Sequence, residues 1–553
     1  MTSASYGSLS TDGTTPIRPA AAQYPRLRSA AGVLFALALA ACSPGHSPTA
    51  ESADERPDRV FLASLQEVSD LYIEPIDLGT LAVTGLNGLG KVAPGFQALR
   101  EGDVIRIRDE RRDMLEIAAP PSRNAPAWAS VMTKAVAAAR SEQPKIAQAE
   151  GDAVYDAVLT ALVGGLDRFS RYAGSDVARE QRASRDGFGG IGVTINVENG
   201  IVRIVSVIPE SPAAAAGVQV DDQILTIDGE GTAGLDQREV VTKLRGRVDS
   251  TVRVTLARPG IVDLLNVPIT RQRIVVPTIR VEHIGPIAHL RILSFNQQTG
   301  RKLVETLEQL MADRSHQLRG VILDLRNNPG GLLDQAVRVA DAFLGEGPII
   351  ATRGRHPASN QSFEAGARDL MRGIPMVVLI NGGSASAAEI VAAALQDRGR
   401  AVVVGSASFG KGTVQTVMRL PNDGELTLTW ARLMSPAGYA LHEHGVIPTI
   451  CTNGMLDDVA SLRLSLQKET RAVAPGGTNT TPRAQLDDAG WRALRASCTG
   501  QSREQDVDVK LAERLLADGG LFQRALRLSQ ATVGTPRMGA SIADRRRTAD
   551  LRQ

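Results

Sequence analysis

The sequence predicts a mixed α/β protein in which an α/β core follows a small β-rich module. In the second half of the chain, apolar strand patterns at residues 320–325, 376–380 and 401–405 alternate with helix formers such as residues 387–395. Before them, residues 187–274 show five or six short strand patterns separated by glycines. With 553 residues, 43% of them hydrophobic, the chain can form several buried cores.

The first 41 residues have the pattern of a bacterial lipoprotein signal peptide. Three arginines precede an apolar run at residues 30–41, which is too short to span a bilayer as a permanent helix. The sequence LAAC at residues 39–42 resembles a lipobox. This pattern predicts cleavage before Cys42, acylation of its thiol and a flexible tether at residues 42–58. A secretory signal that is cleaved at a small-residue site is the alternative.

The expected location is the bacterial cell envelope, where the lipid anchor holds the protein on a membrane, facing the periplasm or the cell exterior. Removing residues 1–41 deletes three arginines and one aspartate from the 62 basic and 60 acidic residues, which leaves 59 of each. A balanced charge provides no electrostatic attraction to nucleic acid, so no nucleic-acid partner is expected.

Residues 59–186 are predicted to form a helical N-terminal region. Apolar residues recur at helical spacing in residues 60–72 and 153–162. An insertion near residues 91–150 lies between these helices and contains strand patterns of its own. No motif in the insertion indicates a function.

Residues 187–275 resemble a PDZ domain in three motifs, which are FGGIGV at residues 188–193, SPAAAAG at residues 211–217 and DDQILTIDG at residues 221–229. A PDZ domain adds the C-terminal segment of a peptide as an extra strand and holds its carboxylate with loop N–H groups. The resemblance assigns the carboxylate-binding loop to Gly190, Ile191, Gly192 and Val193. It assigns the helical wall of the groove to Val240, Val241 and Leu244. Helical spacing favours a core position for at least one of the last three.

Ser386 and Lys411 have the arrangement that a serine–lysine hydrolase requires. Ser386 lies at the turn between the strand at 376–380 and the helix at 387–395, where free N–H groups favour the negative charge that develops when a carbonyl is attacked. Lys411 follows the strand at 401–405 and has a glycine on either side, so the backbone can pack closely enough to exclude water. Burial without an acidic partner lowers the pKa of a lysine, and the neutral amine can then accept a serine proton.

Each of these two residues also has an ordinary structural interpretation, as a helix cap for Ser386 and as a surface lysine for Lys411. The sequences around them favour catalysis. NGGSASAAEI at residues 381–390, ALQDRGR at residues 394–400 and FGKGTVQ at residues 409–415 resemble the catalytic region of the carboxy-terminal processing peptidases, also called tail-specific proteases.

The family resemblance implies a role for each candidate catalytic residue. The nucleophile corresponds to Ser386, the general base to Lys411, and the residue that orients the base to Gln415. GVILDLRNNPGGL at residues 320–332 resembles the glycine turn that supplies one oxyanion N–H in this family. That role falls on Gly330 or Gly331, with the N–H of Ala387 as second donor. Without the catalytic pair, the turn would be a simple strand-to-helix connection.

The resemblance further implies a crotonase-like α/β peptidase core at residues 276–452. The family has Leu-Asp-Pro-His-Ser at the end of its N-terminal helical segment, whereas this chain has the divergent sequence LDRFS at residues 166–170. Residues 453–553 are predicted to form a C-terminal helical region and tail. Cys451 and Cys498 are predicted to form a disulfide in an oxidising compartment, with two separate buried thiols as the alternative.

No metal ion or cofactor is expected. His442 and His444 are two positions apart at a predicted strand end, and no third ligand stands at metal-binding spacing. The chemistry of the serine–lysine pair requires none.

Together these patterns predict a lipid-anchored serine endopeptidase that binds the accessible C-terminal tail of a protein substrate with its PDZ domain and cuts nearby. A catalytically silent PDZ scaffold of the cell envelope is the first alternative. An enzyme similar to acyl-CoA hydratases is the second, but it explains neither Lys411 nor the PDZ domain. A homo-oligomer or an activating partner is compatible with the sequence.

Overall fold

The computed structural model describes residues 56–533 apart from residues 111, 314–316, 367, 474–480, 503 and 505. The predicted signal peptide, Cys42, most of the tether and the polar tail therefore lie outside the described residues. No helix in the described part is long and apolar enough to cross a membrane.

The N-terminal region packs helices against the small sheet of the insertion. Its elements are α1 (Arg56–Leu71), α2 (Leu78–Asn87), β1 (Phe96–Glu101), β2 (Val104–Asp109), β3 (Arg112–Ala118), α3 (Ala125–Glu142), α4 (Pro144–Ala147), α5 (Gly151–Gly164), β4 (Arg171–Ala173) and α6 (Ser175–Asp186). Strands β1, β2 and β3 pair antiparallel in that order. Ile105 and Ile107 alternate with partly buried neighbours on β2 and lie in one buried cluster with Trp128 of α3. The predicted helices and strand patterns of this region are thus present.

The second module is a small β-sheet with one groove-forming helix. Its elements are β5 (Phe188–Gly190), β6 (Val193–Glu198), β7 (Ile201–Val207), α7 (Pro212–Ala215), β8 (Gln223–Ile227), β9 (Glu230–Gly231), α8 (Gln237–Leu244), β10 (Thr251–Ala257), β11 (Leu265–Thr270) and β12 (Gln272–Ile274). The sheet order is β11-β10-β8-β7-β6, so β6 is an edge strand. Helix α8 begins at a reciprocal cap, because the Glu239 N–H donates to Asp236 Oδ1 and the Asp236 N–H donates to Glu239 Oε2, both at 2.8 Å.

The core consists of two sheets with helices between and around them. Its elements are β13 (Ile279–Ile284), β14 (Ile287–Ile292), α9 (Thr299–Ala312), β15 (Gly320–Asp324), α10 (Leu333–Asp341), β16 (Gly347–Arg353), β17 (Gln361–Ala365), β18 (Met376–Ile380), α11 (Ala387–Asp397), β19 (Val402–Gly405), β20 (Thr413–Arg419), β21 (Glu425–Met434) and β22 (Ile450–Cys451). The central sheet has the order β13-β14-β15-β18-β19-β22 and is parallel from β14 to β22. The second sheet has the order β17-β16-β21-β20, and β4 also pairs with β21.

Both faces of the central sheet are buried, as expected for parallel strands. Leu323 and Val378 belong to the core that includes helices α9, α10 and α11. The alternate residues Ile322 and Val377 face the opposite side. This pattern explains why the strands have continuous apolar sequences.

Most of the C-terminal region covers that opposite face of the central sheet. Its helices are α12 (Val459–Val473), α13 (Asp488–Ser497), α14 (Asp506–Ala517) and α15 (Gly519–Val533). Leu466 of α12, Leu515 of α14 and Phe522 of α15 pack in the same cluster as Ile322 and Val377. Trp491 of α13 instead belongs to the core on the first face. The C-terminal region is therefore an integral layer of the core. The predicted C-terminal helical region therefore consists of four separate helices, of which α13 was not predicted individually.

The predicted disulfide between Cys451 and Cys498 is present. Cys451 ends β22 of the central sheet, and Cys498 directly follows α13. The bond therefore joins the edge of the central sheet to the C-terminal layer.

Candidate active site

The turn that carries Ser386 lies at the carboxyl end of β18. The neighbouring parallel strand β15 ends at the same edge, so its glycine turn approaches the Ser386 turn. A Cβ atom on Gly330 would lie 2.9 Å from the Cβ of Ser386, which is closer than Cβ contacts allow. Only glycine therefore fits at position 330. Ser386 itself has a φ of 55°, an unfavourable value for a residue other than glycine, and so it has a strained backbone.

Lys411 lies in the loop between β19 and β20, and the flanking glycines allow the close packing that the sequence predicted. A Cβ atom on Gly412 would lie only 1.8 Å from the backbone nitrogen of His442. Gly410 has a φ of 89°. The loop is thus pressed against residues 441–443, and Lys411 is only partly exposed.

Ser386 and Lys411 line the same cavity, which has a volume of about 370 Å³. Gly331, Ala387 and Gln415 also line it, so the structure brings these predicted residues together. The remaining lining residues are Arg171, Gln181, Ser184, Arg185, Pro329, Leu332, Leu333, Ile390, Thr413, Val414, Val417, Thr427 and Leu433. Nine of the eighteen lining residues are polar or charged, and the other nine are apolar or glycine.

The pKa of Lys411 is lowered from its ordinary value of 10.5. Burial is the largest cause, because it disfavours the charged ammonium, and repulsion by Arg171 acts in the same direction. Glu389 and Asp167 oppose the shift. The Nζ atom lies 5.3 Å from the centre of the Phe169 ring, and no ion pair of Lys411 is present among the described residues. The environment therefore favours the neutral amine that a general base requires.

Glu389 joins the two catalytic segments, and sequence analysis missed it. Its fully buried carboxylate accepts hydrogen bonds from the N–H of Ser386 at 2.7 Å and from the N–H of Lys411 at 3.0 Å. It also accepts from the N–H of Gly410 at 2.7 Å and from the Ser408 hydroxyl. Burial raises the pKa of Glu389, whereas these hydrogen bonds favour its charged form. The signal available in the sequence was an acidic residue three positions after a helix-capping serine.

The structure distinguishes between the two predicted oxyanion glycines. The N–H of Gly330 donates to Asn328 Oδ1 at 2.8 Å and is therefore already used. Gly331 lines the cavity with Ala387, whereas Gly330 does not. The N–H groups of Gly331 and Ala387 are therefore the better candidates.

Gln415 lies on β20 and lines the cavity. Its amide nitrogen donates to the hydroxyl oxygens of Thr413 at 2.8 Å and Thr429 at 3.3 Å. A hydrogen bond between Gln415 and Lys411 does not occur among the residues that the structure describes. The orienting role of Gln415 therefore stays a prediction.

Ser384, two positions before Ser386, has a structural role in this turn. The hydroxyl of Ser384 is fully buried, donates to the carbonyl of Leu325 at 2.8 Å and accepts from the N–H of Asn381 at 2.9 Å. It does not line the cavity. Ser384 therefore attaches the turn after β18 to the end of β15.

The divergent segment at residues 166–170 also reaches the site, which sequence analysis did not predict. Asp167 accepts hydrogen bonds from the N–H and the hydroxyl of Ser170 and from the hydroxyl of Thr429. These bonds attach the segment to β21 and place Phe169 against Lys411. Arg171, at the start of β4, follows at the cavity wall.

The C-terminal region supports both catalytic loops from outside. Arg495 of α13 donates to the carbonyl oxygens of His444 at 2.6 Å and Ser408 at 3.1 Å. The carbonyl of Gln501 accepts from the N–H of Gly382 at 2.8 Å. Such contacts join residues far apart in sequence, so no local pattern could have indicated them.

The predicted carboxylate-binding loop lines a second groove, between β6 and α8. This groove has a volume of about 150 Å³ and contains all four predicted loop residues, together with Val241 and Leu244. Val240 does not line it. Its side chain is fully buried in the core of the module, so the assignment of Val240 to the groove is wrong. Phe188, Thr194, Ile195, Gln237 and Arg245 complete the lining and were not predicted.

In the described part of the chain, no group of three or more histidine, cysteine, aspartate or glutamate side chains is placed to hold a metal ion. His442 packs against the Phe169 ring, whereas His444 stacks on Trp491 with ring centres 4.4 Å apart. The two histidines thus have separate packing partners.

Comparisons with known proteins match both modules. The family model for peptidase family S41 matches residues 286–452, and the PDZ domain model matches residues 189–269. The carboxy-terminal-processing protease of Bartonella bacilliformis is 40% identical over 294 residues, which are 53% of this chain and 68% of that protein. The carboxyl-terminal-processing protease of Picosynechococcus sp. is 34% identical over 54% of this chain and 72% of its own length. The solved photosystem II D1 C-terminal processing protease is 23% identical, with a TM-score of 0.38 over 72% of this chain and 93% of its own.

The matches define a serine-type peptidase that carries a PDZ domain. The chain belongs to the carboxy-terminal processing proteases of peptidase family S41. The predicted family, fold class and enzyme class are thereby confirmed, and the peptidase is favoured over the silent scaffold and the hydratase-like enzyme.

Proposed function

We propose that this protease binds the C-terminal tail of a protein substrate in its PDZ groove and cleaves the substrate with Ser386 as nucleophile and Lys411 as general base. The observation that supports this most directly is that both side chains line one cavity. The lowered pKa of Lys411 is the second support.

Acylation would begin with the neutral amine of Lys411. The amine accepts the hydroxyl proton of Ser386 while Oγ attacks the carbonyl carbon of the substrate. The negative charge that forms on the carbonyl oxygen is stabilised by the N–H groups of Gly331 and Ala387. When the C–N bond breaks, the Lys411 ammonium donates its proton to the leaving amine.

Deacylation would use the same two side chains, with water as the nucleophile and Ser386 Oγ as the leaving group. Lys411, neutral again, accepts a proton from water as the water oxygen attacks the acyl carbon. The ester bond to Ser386 Oγ then breaks, the oxygen regains a proton from Lys411, and a peptide with a new C-terminal carboxyl group leaves.

The groove between β6 and α8 supports recognition of a tail. Because β6 is an edge strand, its outer backbone groups can pair with an added peptide strand. Ile191, Val241 and Leu244 give the groove an apolar lining, which suits a tail that ends in an apolar residue.

The test is cleavage of a folded reporter protein fused to an unstructured tail with an apolar C-terminal residue. We expect wild-type enzyme to shorten the reporter, and Ser386→Ala to lower the rate by about 10⁴-fold or more. Mass spectrometry identifies the products. Ser384→Ala should retain kcat but unfold at a lower temperature, because the Ser384 hydroxyl bonds Leu325 and Asn381 and no catalytic residue. Cleavage by Ser386→Ala near the wild-type rate would refute the nucleophile assignment.

We also propose that the protein is anchored by lipid at Cys42 in the bacterial envelope. The apolar run at residues 30–41 and the LAAC sequence at residues 39–42 support this proposal. The disulfide between Cys451 and Cys498 agrees with an oxidising compartment outside the cytoplasm.

Replacing Cys42 with alanine should release the protein from the membrane or block its processing. Two acyl chains on the terminal residue give stable anchoring, whereas one chain or none does not. The measurement is fractionation of cells that express the full chain, with metabolic labelling by a fatty acid. The anchor proposal fails if the Cys42→Ala protein is processed and stays in the membrane fraction.

A further inference from the structure

One side of the active-site cavity carries positive charge. Arg171 on β4 and Arg185 on α6 both line the cavity that contains Ser386 and Lys411. None of the described lining residues is aspartate or glutamate. The charge of this wall can therefore be balanced only by groups behind the cavity or by a ligand inside it.

A buried carboxylate behind the wall balances part of this charge. Glu425, at the start of β21, accepts hydrogen bonds from Arg182 at 3.0 Å and from Arg185 at 2.9 and 3.0 Å. Arg182 and Arg185 lie three positions apart on α6, so both side chains reach the same acceptor. One carboxylate thus bonds two guanidinium groups, and positive charge remains before Arg171 is counted.

The guanidinium of Arg171 adds a further charge. No side-chain hydrogen bond or ion pair of Arg171 occurs among the residues that the structure describes. Partial burial lowers the pKa of Arg171, repulsion by Arg185 acts in the same direction, and attraction to Glu425 opposes both. Arg171, Arg182 and Arg185 therefore form a cluster with a surplus of positive charge, which an anionic group that enters the cavity would stabilise.

The position of Arg171 is fixed relative to the catalytic pair. Strand β4 pairs antiparallel with β21, and Arg171 lies opposite Thr427, which also lines the cavity. Two residues earlier, the Phe169 ring contacts Lys411, and Arg171 itself repels the charged form of Lys411. A substrate chain that is bound across Ser386 would therefore pass Arg171 within a few residues of the cleaved bond.

We propose that Arg171 and Arg185 form a subsite for an acidic side chain of the substrate, close to the bond that Ser386 cleaves. An unmodified peptide has two kinds of anionic group, which are its aspartate and glutamate side chains and its C-terminal carboxylate. Because the C-terminus is assigned to the PDZ groove, an acidic side chain is the group left for the cavity. A guanidinium without an internal partner binds a carboxylate through two parallel hydrogen bonds, which makes Arg171 the main specificity-determining residue.

The family matches assign no role to this cluster, because all three arginines precede the ranges that the two family models match. The inference rests on the proposed cleavage by Ser386.

The experiment measures kcat/KM for pairs of tailed peptides. The two peptides of a pair carry glutamate or glutamine at one position, which is moved in steps within about four residues on either side of the cleaved bond. With wild-type enzyme, we expect one position at which glutamate is preferred by about tenfold. Arg171→Gln should reduce this preference to about threefold or less, whereas Arg171→Lys, which keeps the charge, should retain more of it. Each enzyme is assayed on the plateau of its pH profile, because Arg171 also lowers the pKa of Lys411.

Arg179→Gln is the matched control, because it removes the same charge from an exposed side chain of α6 that lies outside the cavity. It should leave the preference for glutamate unchanged. Equal reduction of the preference in Arg171→Gln and Arg179→Gln would overturn the inference, because the overall charge of this region then explains it.

The inference is also overturned if wild-type enzyme cleaves both peptides of every pair equally, or if Arg171→Gln keeps the full preference. In these two cases cleavage by Ser386 stands. A third contrary result is that Arg171→Gln removes a preference for a free C-terminus over a C-terminal amide, because the cluster then binds the end of the chain. If wild-type enzyme cleaves none of the peptides, the proposed function fails together with this inference.

Discussion

Replacement of Lys411 with arginine is expected to abolish cleavage as completely as replacement with alanine. A guanidinium keeps its proton at any accessible pH, so it cannot accept the hydroxyl proton of Ser386. The nucleophile and the base act as one unit, so kcat should fall by about 10⁴-fold or more for either variant. Initial rates on the tailed reporter measure the effect.

The pH dependence separates lost chemistry from lost structure. The wild-type rate should rise with pH as Lys411 loses its proton, with a midpoint below 10.5 because burial and Arg171 lower its pKa. The depressed pKa also means that the folded state is destabilised as pH falls through that value, because the buried amine must become charged. Lys411→Met should therefore be inactive and, at neutral pH, at least as resistant to thermal unfolding as wild type. A Lys411→Arg enzyme with a rate near wild type would contradict the role of Lys411 as base.

The elements that the sequence predicted well are those with a local signal. Strands β15, β18 and β19 are buried on both faces, so each appears as an uninterrupted apolar run. The glycines beside Lys411 indicated close packing, and the structure has it at Gly412. Nucleophile and base could be found because each stands at a strand end whose turn has a distinctive sequence.

The features that were missed depend on contacts between distant residues. Helix α13 is only 10 residues long and Trp491 is its one buried residue, so the segment is shorter than the window of about 11 or more residues in which periodicity predicts a helix. Its function in the fold comes from Arg495, whose acceptors are the carbonyls of Ser408 and His444. Backbone carbonyls carry no sequence information. For the same reason Arg245 was not predicted, because it lies near Phe188 only through the folding of the end of α8 against β5.

Val240 was assigned to the groove wall by the family resemblance, although helical spacing favoured a core position for at least one residue of this helix. Helix α8 presents one side to the groove and another to the core of the PDZ domain, and Val240 and Val241 are adjacent in sequence. Adjacent residues on a helix point about 100° apart, so both could not line the groove equally. The structure places Val240 in the core and Val241 at the groove.

Replacement of Glu389 is the second change for which we expect a very large effect. The Glu389 carboxylate accepts four hydrogen bonds, including those from the N–H groups of Ser386 and Lys411. Glu389→Ala leaves these buried donors without an acceptor, so the free energy of unfolding should fall by about 3 to 5 kcal/mol. Glu389→Gln keeps the shape but turns an NH₂ group toward N–H donors. Because the two catalytic loops then shift relative to each other, kcat should fall by about 10²-fold in the glutamine variant.

Asp397→Asn is the matched control for Glu389→Gln. Asp397 is also a buried carboxyl group on α11, but it lies at the other end of the helix and bonds the N–H of Ala437 instead of a catalytic loop. Burial raises the pKa of Asp397 to about 6, so its protonated form, which asparagine resembles, is readily accommodated. Thermal unfolding and kcat are measured for both variants at pH 6. If kcat falls equally in the two variants, general damage to α11 explains the loss, and the direct coupling of Ser386 to Lys411 through Glu389 is wrong. If kcat falls only in Glu389→Gln, the carboxylate sets the relative position of nucleophile and base.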